Sequence, residues 1–242
     1  MTLAAVPAKD LENAKQRLIP ILSPSERREL ARAMLEDVLT ALEGAGLDAV
    51  LVVTRDSDVI ELARRFAVTI VEEPENRGHT EAVALAQREA ARHGAKRFLT
   101  IPGDVPRVTA LEIRAICRAG GAGPGVVFVP SRSGFGTNGV LLAPPDIMPL
   151  KFGEPSFDNH LSAARERGLE PRLLTLPGLG LDIDGPEDVA ALLEGEDLTR
   201  SGRLLRAWGF PGRLLPHPTH NPLTFILSAP KGRGQGEGGE VG

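Results

Sequence analysis

Short apolar runs alternate with helical patterns from the N-terminus through Pro130, and this alternation narrows the possible folds more than any single motif. Leu3–Val6, Ala49–Thr54, Val68–Val71, Arg97–Ile101 and Gly125–Pro130 read as strands. Ala49–Thr54 is apolar without a break, as in a parallel strand covered on both faces. Helical patterns fall between them: a long one ending near Glu43, then Asp56–Phe66, Thr80–His93 and Thr109–Ala119. Ser23 caps the long helix, with Pro24 at its first position and Glu26 completing a capping box. Units of this kind wind right-handed into an α/β fold with a mostly parallel, doubly wound sheet. Val140–Ala143 and Arg172–Leu176 read as further strands, Leu179–Ile183 as a short extended segment, and Phe157–Arg167 and Pro186–Glu194 as helices.

A chain of 242 residues with 42% hydrophobic content is long enough to bury a large core. The expected organisation is one domain over 1–208 and an extension over 209–242. Gly209–Ser228 holds four prolines and no period. Lys231–Gly242 is Gly-rich with mixed charge, cannot offset its ordering entropy by burial, and is expected to be a disordered tail. The 28 basic and 32 acidic side chains give a net charge of −4, which argues against a nucleic-acid surface or a polybasic membrane surface. The single cysteine, Cys117, excludes an internal disulfide and a cysteine-based zinc site. No signal peptide or membrane span is expected, and a cytoplasmic location is compatible. The oligomeric state is left open, a homodimer included.

Ligands of open parallel sheets bind beyond the carboxyl ends of the strands. Asp104 follows the strand Arg97–Ile101, and Asp182 and Asp184 bracket Ile183 at the end of an extended segment, where residues two apart face one side. Such carboxylates suit Mg²⁺ sharing its shell with phosphates, although Asp184 also reads as a helix cap and Asp104 as a turn residue. The loop after the first strand carries Lys9, Lys15 and Arg17, where a triphosphate would lie; lacking glycine, it is no P-loop, and it also reads as a solvated basic loop. Asn76 and Gly78 sit beyond another strand end, in a candidate base or ribose loop. Gly136–Gly139 and Phe152–Ser156 flank an apolar run and read either as a turn and a Ser cap or as an anion site of backbone N–H groups and a helix N-terminus. None of the five histidines forms a metal-spaced or triad-like pair; His160 reads as packed or solvent-facing, although it could face the anion site.

The opening VPAKDLENAKQRL and the segments PGDVP, GTNGVLLAPP, KFGEPSFDNHLSAARERG and LDIDGPEDVAALL, in that order, resemble the 2-phospho-L-lactate or phosphoenolpyruvate guanylyltransferases of coenzyme F-420 biosynthesis. The resemblance covers Met1–Glu194 and implies a nucleotidyltransferase (glycosyltransferase-A-like) fold. It implies that Thr137, Gly153 and Ser156 contact the phosphorylated acid and that Asp104, Asp182 and Asp184 hold Mg²⁺. GTP would lie on Lys9, Lys15, Arg17, Asn76 and Gly78, with Asp104, Lys15 and Arg17 acting in catalysis. The acid's own phosphate, already anionic, would attack the α-phosphorus without a general base. Gly78-His79-Thr80-Glu81-Ala82 departs from the family's G-L-N-x-A-like stretch, which bears on nucleobase choice. Rival readings are a nucleotidyltransferase with another acceptor (3-phosphoglycerate, a molybdenum cofactor, a sugar phosphate) and a non-catalytic nucleotide-binding module.

Overall fold

The computed structural model describes residues 1–8, 10–153, 155–195 and 199–214. Lys9, most of the expected extension and the whole expected Gly-rich tail lie outside the described residues.

The described residues build one seven-stranded sheet in the order β3-β2-β1-β4-β6-β5-β7. Its strands are β1 (Thr2–Pro7), β2 (Ala49–Thr54), β3 (Thr69–Glu72), β4 (Arg97–Thr100), β5 (Gly125–Pro130), β6 (Thr137–Ala143) and β7 (Arg172–Leu173). β1 pairs in parallel with β2 and β4, and β2 with β3. β6 runs antiparallel between β4 and β5. The helices are α1 (Pro24–Glu43), α2 (Ser57–Ala63), α3 (His79–Arg92), α4 (Ala110–Ala119), α5 (Ser156–Arg165), α6 (Pro186–Leu192) and α7 (Arg200–Ala207). Alternation along β1 splits the core into two layers. Ala4 and Val6 pack with α1, α2, α4, α6 and α7, while Leu3 and Ala5 pack with α3 and α5. No helix among the described residues is long and apolar enough to cross a membrane.

The capping box of α1 forms as read: Glu26 N–H donates to Ser23 Oγ and Ser23 N–H to Glu26. Three readings need correction. Leu179–Ile183 is not a strand: residues 177–180 form a turn closed by Gly180 N–H on Leu176 O at 2.7 Å, and 181–184 continue without regular structure. The cause is local, since Pro177, Gly178 and Gly180 favour a turn and a Cβ at Gly178 would run into the Arg107 carbonyl. Thr137 and Asn138 do not belong to a turn but open β6, three residues earlier than the apolar run suggests, beside a register shift at Val129/Pro130.

The third correction concerns the end of the packed region, expected at Trp208. Helix α7, which the sequence pattern does not announce, docks on α1. The Asp37 carboxylate accepts Arg200 N–H at 2.7 Å, Ser201 N–H at 3.0 Å and the Ser201 hydroxyl at 2.8 Å. A side chain of α1 thus satisfies the orphan amides at the start of α7. Beyond α7, Phe210 is buried, and Arg213 stacks over its ring and pairs with Glu26. Packing therefore continues at least to the short helical turn Gly212–Leu214.

Candidate active site

Two groups of functional side chains gather beyond the strand ends, and different physics holds each together. The first is ionic. Lys15 lies in the loop after β1, in left-handed backbone at φ 56°, ahead of the short helical turn Gln16–Leu18. A non-glycine residue held there carries strain of roughly 1–3 kcal/mol, the kind that clusters at functional sites. Its ammonium donates to Asp104 Oδ2 at 2.6 Å and to Asp184 Oδ1 at 2.9 Å. Burial opposes the Lys15 charge, but the two carboxylates outweigh it and raise the pKa above the usual lysine value. Burial likewise works to raise Asp104, yet Lys15 wins by charge and hydrogen bond and holds that carboxyl below its usual range.

Asp182 stands beside this pair. Burial raises its pKa, the charges of Asp104 and Asp184 add to the rise, and a hydrogen bond from Asn138 opposes it. The three aspartates are thus neighbours, as the sequence suggests, but not as a ligand triad. Among the described residues no group of three His, Cys, Asp or Glu side chains is arranged to hold a metal ion. Lys15 stands between two of the carboxylates, and Asn138 Nδ2 holds Asp182 Oδ1 at 3.0 Å. The remaining oxygens still suit a hard cation: Asp104 Oδ1 is buried without a hydrogen-bond partner.

A cavity of about 220 Å³ opens against this group, lined by Pro7, Ala8, Leu11, Lys15, His79 and Asp104 among others. It lies beyond the carboxyl ends of β1 and β4, where a doubly wound sheet receives a nucleotide. His79 brings the start of α3 to it. Just before, Gly78 at φ 96° donates its N–H to Asn76 Oδ1 at 3.3 Å and caps the helix. Arg17 is exposed on the helical turn and has no side-chain partner among the described residues, so the structure does not bring it to the carboxylates.

The second group is neutral and buried: Thr137 is 6% exposed, Ser156 3% and His160 1%. Thr137 N–H donates to Ser156 Oγ at 3.0 Å, and the Ser156 hydroxyl donates to Thr137 Oγ1 at 3.3 Å. His160 Nδ1 lies 3.0 Å from Thr137 Oγ1, while His160 Nε2 accepts Lys151 N–H at 3.0 Å. These bonds revise the expected donors. The Gly136 amide is spent on Ser131 Oγ and the Thr137 amide on Ser156, so neither is left for a ligand. Ser156 is the first residue of α5 rather than its cap, and its hydroxyl is consumed within the protein. The Ser156 and Gly153 amides, in contrast, have no acceptor among the described residues, and Gly153 sits at φ 108° with open space where a side chain would project.

Two contacts join the groups. Asn138, adjacent to Thr137, reaches the Leu179 and Gly180 carbonyls as well as Asp182. The Phe152 ring stands edge-on to both His79, centroids 4.6 Å apart, and His160, at 5.0 Å, while Phe152 N–H donates to Thr80 Oγ1 at 3.0 Å. Asn138, Phe152 and Thr80 lie in segments that the sequence marks as candidate sites, but their side chains carry no role of their own in that reading. The one available signal is the spacing of Ser156 and His160, which puts both on one helix face.

The family model described as "Guanylyl transferase CofC like" matches residues 2–217. A phosphoenolpyruvate guanylyltransferase of Sphaerobacter thermophilus is 42% identical over 79% of this chain and 92% of its own length. One of Rubrobacter xylanophilus is 40% identical over 78% and 92%. A 2-phospho-L-lactate guanylyltransferase of Methanothermobacter thermautotrophicus is 35% identical over 86% and 92%. Among solved structures, a nucleotidyl transferase from the same archaeon superposes with a TM-score of 0.62 at 20% identity, covering 86% of this chain and 99% of its own. A Mycobacterium tuberculosis protein solved in complex with manganese has a TM-score of 0.51 at 19% identity, covering 80% and 98%. At such identities the structural likeness speaks for the fold alone.

Proposed function

Because the chain belongs to the CofC-like guanylyl transferase family, we propose that it transfers GMP from GTP to phosphoenolpyruvate or 2-phospho-L-lactate, releasing pyrophosphate, in the cytoplasmic assembly of coenzyme F-420. The observation that carries the reading is the junction at Asn138. It sets an ionic group suited to a triphosphate against a neutral group suited to a small anion, so two anionic substrates would meet there.

A phosphate oxygen of the acid attacks the α-phosphorus of GTP, a new P–O bond forms, and the bond to pyrophosphate breaks. The attacking oxygen is anionic at neutral pH, so the step needs no histidine or cysteine base. Lys15 supplies positive charge where two anions must approach, and does so from a fixed position. Asp104, Asp182 and Asp184 would hold a divalent cation, Mg²⁺ in our reading, and the unpartnered Asp104 Oδ1 supports this. When bound, the cation neutralises charge on the phosphates. Lys9, Asn76, Gly78 and the exposed Arg17 complete the proposed nucleotide side. On the acid side, the Gly153 and Ser156 amides and the Thr137 hydroxyl receive the carboxylate and phosphate oxygens. This set grips the charged ends and reads the carbon between them weakly, because enolpyruvate and lactate differ there by two hydrogens.

Pyrophosphate release tests the reading. With Mg²⁺ and GTP, phosphoenolpyruvate and 2-phospho-L-lactate should both react and 3-phosphoglycerate should lag far behind. Release with none of the acids, or equally well with ATP or CTP as with GTP, would contradict it.

A further inference from the structure

His160 takes no part in the chemistry above, yet both its ring nitrogens are fixed. Nε2 accepts the Lys151 amide proton, so it carries none of its own. A neutral imidazole has one N–H, which must then sit on Nδ1 and donate to Thr137 Oγ1. The Ser156 hydroxyl donates to the same oxygen. A hydroxyl accepts at two positions, and both are now filled. What Thr137 retains is its hydrogen, which has no acceptor among the described residues.

From these polarities we infer that His160 is a positioning residue for the acid: it makes the Thr137 hydroxyl a donor only, set for an anionic oxygen. The inference rests on the acid site proposed above and names what selects its ligand. The opposite tautomer would turn the Thr137 proton toward the ring and present a lone pair to the incoming anion, which repels it. The surroundings hold the ring in place: Phe128 stacks on it with centroids 5.7 Å apart and Phe152 packs edge-on. Burial favours the neutral ring and lowers its pKa to about 4. The Lys151 amide that fixes the tautomer also begins the Lys151-Phe152-Gly153 segment, so one ring orients the hydroxyl and anchors the strand-to-helix loop bearing the Gly153 amide.

A double-mutant cycle tests the inference. Thr137→Val should raise the KM for phosphoenolpyruvate about tenfold or more, as expected for losing a hydrogen bond to a charged group, and leave the KM for GTP within about twofold. His160→Gln, which keeps an acceptor near the Nε2 position but no donor at Nδ1, should raise the acid KM about tenfold in the native background. It should change it less than about twofold in the Thr137→Val background, because the residue acts through that hydroxyl. His160→Asn, which keeps a donor at the Nδ1 position but gives up the acceptor for the Lys151 amide, should raise the acid KM clearly less than His160→Gln does. The same loss in both backgrounds, or a parallel rise in the GTP KM, would make His160 merely structural and overturn the inference. Nitrogen-15 NMR of the unsubstituted protein should find the His160 proton on Nδ1; finding it on Nε2 overturns the inference as well. That measurement needs no turnover, so it separates failure here from failure of the proposed reaction.

Discussion

The two halves of the site are built from opposite materials. Around Lys15 the bonds are between full charges, the Asp184 side chain is 44% exposed, and the central residue sits in strained backbone. Around Thr137 every group is neutral, buried and bonded in one direction. Charges at the mouth of a cavity can trade partners when a triphosphate and a cation arrive. A buried neutral network cannot rearrange cheaply, because each broken bond leaves a polar atom without water. The first half is therefore suited to stabilising charge that develops during transfer, the second to holding a ground-state anion in one orientation.

Asp104→Asn should produce the largest effect, a fall in kcat of roughly 10²–10³-fold, comparable to removing one preorganised electrostatic group. Its melting temperature should stay within a few degrees, because Lys15 keeps Asp184. Steady-state kinetics and a thermal melt check both. If kcat hardly changes, the ionic half is structural. Chelation by EDTA should abolish turnover, and added Mg²⁺ restore it.

On the neutral half the sharp prediction concerns acid. The His160 pKa is about 4 in the folded protein against an ordinary 6.5. Between those values the unfolded chain binds a proton that the folded chain refuses. Stability should therefore be full above about pH 6.5 and fall toward pH 4 by roughly 3 kcal/mol. Urea titrations across that window measure it, and His160→Gln should remove most of the slope. An unchanged slope in that variant would mean that other groups set the acid limit.

The C-terminal packing gives a smaller effect. A chain ending at Trp208 loses the buried Phe210 and should cost about 2–3 kcal/mol, lowering the melting temperature by roughly 5–10 °C. A chain ending at Leu214 keeps those contacts and serves as the control. Smallest of all, Arg213→Ala should cost at most about 1 kcal/mol, since its partner Glu26 is only partly shielded. If the first truncation is as stable as the second, Phe210 does not contribute as its burial implies.

How far the sequence could be read follows the same contrast. Parallel strands such as Ala49–Thr54 and the Ser23–Glu26 box follow from local pattern and appear with their expected bounds. The aspartates could be found because Asp104 follows an apolar strand pattern and Asp182 and Asp184 stand two apart, although Asp104 also reads as a turn residue and Asp184 as a helix cap. Their pairing could not: the ammonium that meets Asp104 and Asp184 comes from residues 89 and 169 positions away. Helix α7 was hidden for a related reason, since the groups that satisfy its first amides belong to Asp37, more than 160 residues earlier. The turn over 177–180 overrode an extended reading because a backbone carbonyl leaves no room at Gly178. His160 was legible as a packed histidine, but its polarity depends on which nitrogen meets the Lys151 amide, and only the folded geometry sets that.

In this enzyme charge should drive turnover while the neutral network sets acid affinity. The most direct test is to measure kcat and the phosphoenolpyruvate KM side by side for Asp104→Asn and Thr137→Val. Asp104→Asn should lose at least about 10²-fold in kcat with the acid KM within a few-fold, and Thr137→Val should raise the acid KM about tenfold with kcat within a few-fold. If both variants lose kcat equally with unchanged KM, or if the two effects are exchanged, the division of labour between the halves is wrong.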